Sequence, residues 1–271
     1  MNSLYNDYKK FEELASEYDG KFIKLNDELL KPSILTPLIS FSKANKINFK
    51  LNDSLINNNF FFDDDYSNFI ELNYIEEKRK GEIVEKLAKK ISHENFCGLQ
   101  SIIYILNELV SNVIDHSSLT KDFSSRCYIY TKEYPDLNLL DISVMDNGLS
   151  IPGNFEIHNI EFFDDCDAIS KAVNQVSTQK NPYDSIRYSR GFGLWSTLKL
   201  AIEGNGGNAL IVSRNGCLNI FSKDNYKYYY LNNSNIFRGT LVSLRLKKGM
   251  IENFYDLIEI SESNSYKYMG Q

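Results

Sequence analysis

The chain has 271 residues, 42% of them hydrophobic, and a formal net charge of −6 with an isoelectric point near 5.3. That is enough apolar material for one large or two small cores, and the acidic balance argues against a broad nucleic-acid-binding face, which needs clustered basic charge. No apolar run reaches the roughly 18 residues of a membrane-spanning helix, and the polar start Met1-Asn-Ser-Leu-Tyr lacks an apolar signal core, so a cytoplasmic location is expected.

In chain order, residues 1 to about 18 read as a short charged amphipathic helix, Lys21 to Leu25 as a strand, and Pro32 to Ala44 as a helix opened by proline in its first turn. Ile47 to Leu51 reads as a second strand, Asn57-Asn-Asn as a turn, Asp63 to Asp65 as an acidic loop, Tyr66 to Tyr74 as a short helix, and Glu76 to Gly81 as a charged linker. This strand–helix–strand order predicts a small α/β unit over 1–80, with a plain dimerisation or capping layer as the alternative.

A buried helix follows, because Ile102, Ile103, Leu106, Leu109, Val110, Val113 and Ile114 recur at helical spacing. Glu108, Asn112 and Asp115 share one face of it, at about 100° per residue, with His116 a little further round. A polar stripe on an apolar helix is either a solvated face or a metal and water site. An Asn amide oxygen can ligate Mg²⁺, whose other ligands are waters and substrate phosphates. A Glu one turn earlier can polarise an attacking water or hydroxyl.

Asn138 to Met145 reads as a strand with Leu140, Ile142 and Val144 on one face. Asp146 continues that parity, so its carboxylate lies on the apolar side of a strand end, where an unpaired charge is strongly penalised. Asp146-Asn-Gly148 is either a plain turn or a place where the backbone passes close to a ligand. Gly153 to Ser189 contains Asp164, Asp165 and Asp167, then a helical run from Ala168 to Val176. Gly191 and Gly193 precede an apolar run, Leu194 to Ile202, that reads as a helix; glycines entering a helix N-terminus suit an anion. A Rossmann fingerprint is excluded by Ser196 at the third glycine position, and no G-x-x-x-x-G-K-[ST] string exists.

Strands are predicted at Ala209–Arg214, Cys217–Ser222 and Tyr226–Leu231, the first two joined by a hairpin at Asn215-Gly216. The tyrosines at Tyr228 to Tyr230 fit either an aromatic binding surface or a half-buried strand. Thr240 to Leu246 reads as a strand, and Ile251 to Ile260 as a short amphipathic helix within a tail, 251–271. The cysteines Cys97, Cys127, Cys166 and Cys217 form no C-x-x-C pair and read as free thiols in a reducing compartment. With three histidines and no Cys/His cluster, zinc is not expected.

Glu108-Leu-Val-Ser-Asn112-Val-Ile-Asp115-His116, Asp146-Asn-Gly148-Leu-Ser150-Ile151, Arg190-Gly191-Phe192-Gly193-Leu194 and Gly239-Thr240 stand in one order. Together they resemble the N box, the two glycine boxes and the terminal Gly-Thr strand of the GHKL ATPase superfamily: gyrase, heat-shock chaperone, histidine kinase and mismatch-repair ATPases. The resemblance covers roughly 85–248 and implies a domain over 81–250: a two-layer α/β sandwich with a mixed sheet, holding ATP between its helices and one sheet face. It implies that Asp146 accepts from the adenine amine, helped by Thr240, with Gly148 and Ile151 beside the base. It implies Mg²⁺ on Asn112, with Asp115 and His116 near it, and Glu108 as general base. Gly191, Phe192, Gly193 and Leu194 would border the phosphates, and 153–189 would be the ATP lid. Lys180 and Arg187 within it, and Arg190 just after it, are the cations available to the β- and γ-phosphates, each equally readable as an ordinary surface charge. Ser150 departs from the pattern, which has a second glycine there. The N-terminal region resembles the STAS-like segment ahead of some bacterial GHKL modules.

Only His93 precedes Glu108, at 15 residues, which leaves no room for a phosphoacceptor hairpin. About two dozen residues follow the Gly-Thr strand, too few for the transducer domain of a DNA clamp. The expectation is a cytoplasmic regulatory protein that binds Mg-ATP, then hydrolyses it or phosphorylates a partner, like anti-sigma-factor Ser/Thr kinases. The alternative is a non-enzymatic ATP-dependent binding module. The implied partners are ATP, a regulatory protein that is STAS-like or of another kind, and a second copy of the chain.

Overall fold

The computed structural model describes residues 2–20, 22–51, 54–56, 69–73, 80–93, 96–117, 126–174, 193–232, 238–251, 254–255 and 257. The N-terminal unit contains α1 (Leu4–Ser16), β1 (Phe22–Lys24), α2 (Pro32–Asn45), β2 (Asn48–Leu51) and β3 (Ser54–Ile56). Ser3 caps α1 by accepting from the Asn6 N–H at 3.1 Å. Pro32 opens α2, and Lys46, in a left-handed conformation, closes it. The strands form a three-stranded sheet, β1–β2–β3, with β1 parallel to β2.

The main sheet has seven strands in the order β10 (Asn225–Tyr230), β9 (Gly216–Ser222), β8 (Asn208–Ser213), β11 (Thr240–Lys247), β7 (Leu139–Asp146), β6 (Arg126–Tyr134) and β4 (Phe69–Asn73). It is antiparallel throughout, where a mixed sheet was expected. β7 and β8 do run in the same direction and are joined by a helical crossover. However, β11 inserts between them and pairs antiparallel with both. Mixed pairing is confined to the small sheet.

Helices α3 (Lys80–His93), α4 (Leu99–Ser117), α5 (Ser150–Ile157), α6 (Asp165–Val173) and α7 (Gly193–Lys199) complete the fold, with a π-helical turn over Leu200–Gly204 continuing α7. Val84, Leu87, Ile102, Leu106, Leu109 and Val110 pack with Leu140, Ile142, Val144, Val242, Leu244 and Leu246 on one face of the sheet. The two-residue ladders β5 (Phe96–Cys97) and β12 (Gly249–Met250) pair beside this core, and Phe254 and Leu257 pack against it. Those tail residues therefore belong to the main core.

The opposite face of the sheet is covered too. Leu4, Tyr8, Phe11, Ile34, Leu38 and Phe49 share a core with Tyr128, Met145, Leu210, Val212 and Leu241. The α/β sandwich thus has helices on both faces, and the N-terminal unit is its third layer, not a separate body. A buried ion cluster joins the layers. Arg245 donates from Nε and Nη2 to Asp141, each at 2.7 Å, and from Nη1 to the Asn2 carbonyl at 2.6 Å. Asp7 accepts from Lys31 at 2.8 Å and faces Arg245 at 3.4 Å. Desolvation raises Asp141 and the Arg245 pairing opposes it. Removing one partner of such a cluster costs about 3–5 kcal/mol, because the others stay buried and uncompensated.

Two further differences from the sequence reading stand out. Residues 69–73 are the edge strand β4, not a helix, and Ile70 packs on the core. Helix α3 occupies most of the stretch between the charged linker and α4; Ile83, Val84, Leu87, Ala88 and Ile91 give its apolar stripe. Three cysteines are buried, and Cys166 is half-buried; burial pushes the Cys97 thiol up to about 12. Among the described residues no helix is long and apolar enough to cross a membrane.

Candidate functional site

The site lies where β7, β8 and β11 end together. Parity along β7 carries Leu140, Ile142 and Val144 onto the α4 face and puts Asp146 there too, 5% exposed. Its carboxylate is satisfied by the backbone: Oδ1 accepts from the Gly148 N–H at 2.7 Å and Oδ2 from the Thr240 N–H at 3.1 Å. Burial still dominates, and it pushes the Asp146 carboxyl up to about 7 against those bonds. Each oxygen keeps a second lone pair for another donor.

This end of the site leaves little freedom. Gly239 has φ +90, and a Cβ there would overlap the carbonyl oxygen of Asp146. Only glycine fits both the conformation and the approach. Ser213, fully buried on β8, joins three segments through one hydroxyl: Oγ accepts from the Ile151 N–H at 2.9 Å, and lies 3.0 Å from Thr240 Oγ1 and 3.3 Å from the Gly239 carbonyl. Ser150, where the family pattern has glycine, takes φ +73. A serine there carries a strain that glycine would not. Its Oγ accepts from the Gly153 N–H at 3.2 Å, and the Ser213 bond pins the next residue.

The other end is built on α4. Glu108 and Asn112, one turn apart, are both half-buried, and a Cβ on Gly193 would overlap Oε2 of Glu108. The second glycine box therefore opens α7 directly against the Glu108 carboxylate. Tyr104, one turn before Glu108, shares a 2.8 Å hydrogen bond with Ser196, whose hydroxyl donates to the Gly193 carbonyl at 3.2 Å. These contacts fix α7 against α4. Leu194 and Ile151 are half-buried beside the same core.

The structure thus brings Asp146, Gly148, Ile151 and Thr240 together, and separately Glu108 and Gly193. Asp115 and His116 lie in the last turn of α4, and their side chains are outside what is described. Lys180, Arg187, Arg190, Gly191 and Phe192 fall outside the described residues. Of the expected lid, 153–174 is described, and most of it is helical. α6 starts at the Asp164 cap, and Ala168 and Ile169 are buried in the structure's core. Apolar packing holds this part on the sheet.

Sequence reasoning missed Ser213, Tyr104 and Ser196. Tyr104 was legible, since it continues the Glu108–Asn112 stripe one turn earlier. Ser213 carries no such signal; its role depends on β11 inserting beside β8.

The residues present suit a nucleotide in two respects. Asp146 offers a buried carboxylate as acceptor for an amine, and Glu108 and Asn112 stand half-buried on one face of α4; the tight approaches at Gly239 and Gly193 are filled by Asp146 and Glu108 themselves. Among the described residues no three His, Cys, Asp or Glu converge on a metal. Mg²⁺ here would be held by Asn112 and by phosphate oxygens.

No known family's profile matches the chain, and no curated protein matches it. Among solved structures it is similar to the histidine kinase domain from the Erythrobacter litoralis EL346 blue-light activated histidine kinase. The TM-score is 0.33 at 10% identity, over 94% of this chain and 97% of that one.

Proposed function

We infer that the protein is a regulatory ATP-binding protein that turns over Mg-ATP, by hydrolysis or by phosphorylating a hydroxyl of a partner protein. The observation that supports this best is the pairing of two constructions on one sheet face. A buried acceptor, Asp146, is held at the strand end by Gly148 and Thr240. A carboxylate, Glu108, lies against the glycine that opens α7.

In this reading Asp146 accepts from the exocyclic amine of adenine, and Thr240 presents its hydroxyl beside it. Asn112 contributes an amide oxygen to Mg²⁺, which when bound neutralises phosphate charge. Glu108 accepts the proton of the attacking water or partner hydroxyl. The new oxygen–phosphorus bond forms as the bond to the ADP oxygen breaks. Lys180 and Arg190 supply positive charge to the phosphates. The reaction belongs to a cytoplasmic, bacterial type of regulation.

The test uses ATP labelled on its γ-phosphate, with the protein alone and with proteins encoded beside it. Label released or transferred by the wild type, and lost in Glu108→Ala, is expected. Binding without any turnover replaces this reading with a module in which ATP is a structural ligand. In Asn112→Ala, nucleotide binding should become nearly independent of Mg²⁺; retained magnesium dependence assigns the metal to another residue.

A further inference from the structure

A lysine stands where the packing of α3 suits an apolar residue. Lys80 opens α3, and at about 100° per residue it falls within roughly 60° of Val84, Leu87 and Ile91, the stripe that this helix buries. α3 packs against α4, and Lys80 is half-buried there. A cation in the first turn also opposes the helix dipole, whose N-terminal end is positive. Neither packing nor helix electrostatics accounts for a lysine at this position.

Its ammonium donates to the hydroxyl of Ser111 on α4. Viewed down α4, Ser111 lies about 60° to one side of Glu108, and Asn112 about 40° to the other. Helix residues three apart carry their Cβ atoms about 5–6 Å from one another. The Ser111 bond therefore holds the ammonium within one turn of the Glu108 carboxylate, on the flank away from Asn112. That bond uses one of the ammonium's three N–H donors, and its partner is a neutral hydroxyl.

The place beside Glu108 selects the anion. A base that takes the proton of the nucleophile stands next to the phosphorus under attack, and in ATP turnover that is the outermost one. A metal on Asn112 would approach this phosphate from one flank of α4, and Lys80 has the other. We propose that Lys80, held ready on Ser111, contacts the γ-phosphate of bound ATP and makes the site prefer a triphosphate to a diphosphate. This rests on the nucleotide reading above, and adds to it a cation from outside the glycine boxes and the lid. The ammonium keeps its protons throughout; it exchanges a hydroxyl partner for a phosphate oxygen, which is the stronger acceptor.

The test is calorimetry with ADP and with the β,γ-imido analogue of ATP, which is not cleaved, both in the presence of Mg²⁺. The wild type should bind the triphosphate analogue more tightly than ADP. Lys80→Gln should weaken the analogue by about tenfold or more, the effect of a lost charged hydrogen bond, and ADP by less than about twofold. Lys80→Arg should keep most of the preference, and Ser111→Ala should reduce it by about two- to threefold, because the ammonium loses its holding partner. Equal weakening of both nucleotides in Lys80→Gln means that Lys80 serves only to fix α3 on α4, and overturns the proposal. So does an affinity ratio that Lys80→Gln leaves unchanged, the result expected of a lysine that serves Glu108 alone. In both cases the wild type still binds nucleotide and the nucleotide reading stands. A wild type that binds neither compound refutes that reading, and the proposal with it.

Discussion

The two ends of the candidate site are built by different means. At the Asp146 end the polar groups are bound within the fold: Asp146 to the Gly148 and Thr240 N–H groups, and Ser213 to the Ile151 N–H and the Thr240 hydroxyl. At the Glu108 end, side chains of α4 stand against the start of α7, where the half-buried Glu108 carboxylate meets Gly193. The first end is thus part of the fold's own closure, whereas the second is a set of side chains placed by a fold already complete. Substitutions at the Asp146 end should act on stability and binding together. At the Glu108 end, Glu108 substitutions should act on chemistry alone, whereas Asn112 substitutions should act on the metal dependence of binding.

The largest effect is expected at the Glu108 end. Glu108→Ala should lower turnover by roughly 10²–10⁴-fold, the usual contribution of a positioned base, with ATP affinity and melting temperature near wild type. A parallel loss of affinity would show that Glu108 acts on binding and not on the transition state. Gly239→Ala should have the opposite profile. The added methyl meets the Asp146 carbonyl at a positive φ, so chemical denaturation should show a loss on the order of 2–4 kcal/mol. A variant as stable as wild type would mean that the strand end is not over-determined. Ser213→Ala should be milder, at about 1 kcal/mol for a lost buried hydrogen bond. It should also loosen the Ile151 segment, read as faster amide exchange there.

Much of this site could be read before the structure, and the reason is periodicity. Helical spacing put Glu108 and Asn112 on one face of α4, and strand alternation put Asp146 on the core side of β7. Polar residues on the other sheet face misled. Ser143, Asp141, Ser243 and Arg245 alternate as though toward solvent, which fits a two-layer fold. In the structure Ser143 and Ser243 share a buried 2.6 Å hydrogen bond, and Arg245 binds Asp141. Their burial depends on Asp7 and Asn2, far away in the sequence, and no local pattern encodes that. β4 was misread for a similar reason: five residues, Phe69 to Asn73, are too short to establish a period, and only pairing with β6 makes them a strand.

The central claim is that Asp146 reads the amine of adenine, and its pH dependence tests this most directly. The Asp146 carboxyl, ordinarily near 3.8, is raised by burial to about 7. Between those values the folded state holds a proton that the unfolded state has released, so this group's contribution to stability falls as pH rises through that window. The ionised form accepts from an amine through both oxygens and more strongly than the neutral acid, so the preference for an amine donor must grow as pH rises through about 7. The measurement is the ratio of ATP to GTP affinity by calorimetry at pH 6 and pH 8, a ratio in which the phosphates' own titration cancels. The account predicts that ATP is favoured at both pH values and that the ratio rises by about tenfold from pH 6 to pH 8, with the rise absent in Asp146→Asn. Equal affinities for ATP and GTP, or a ratio that does not change with pH, would contradict it.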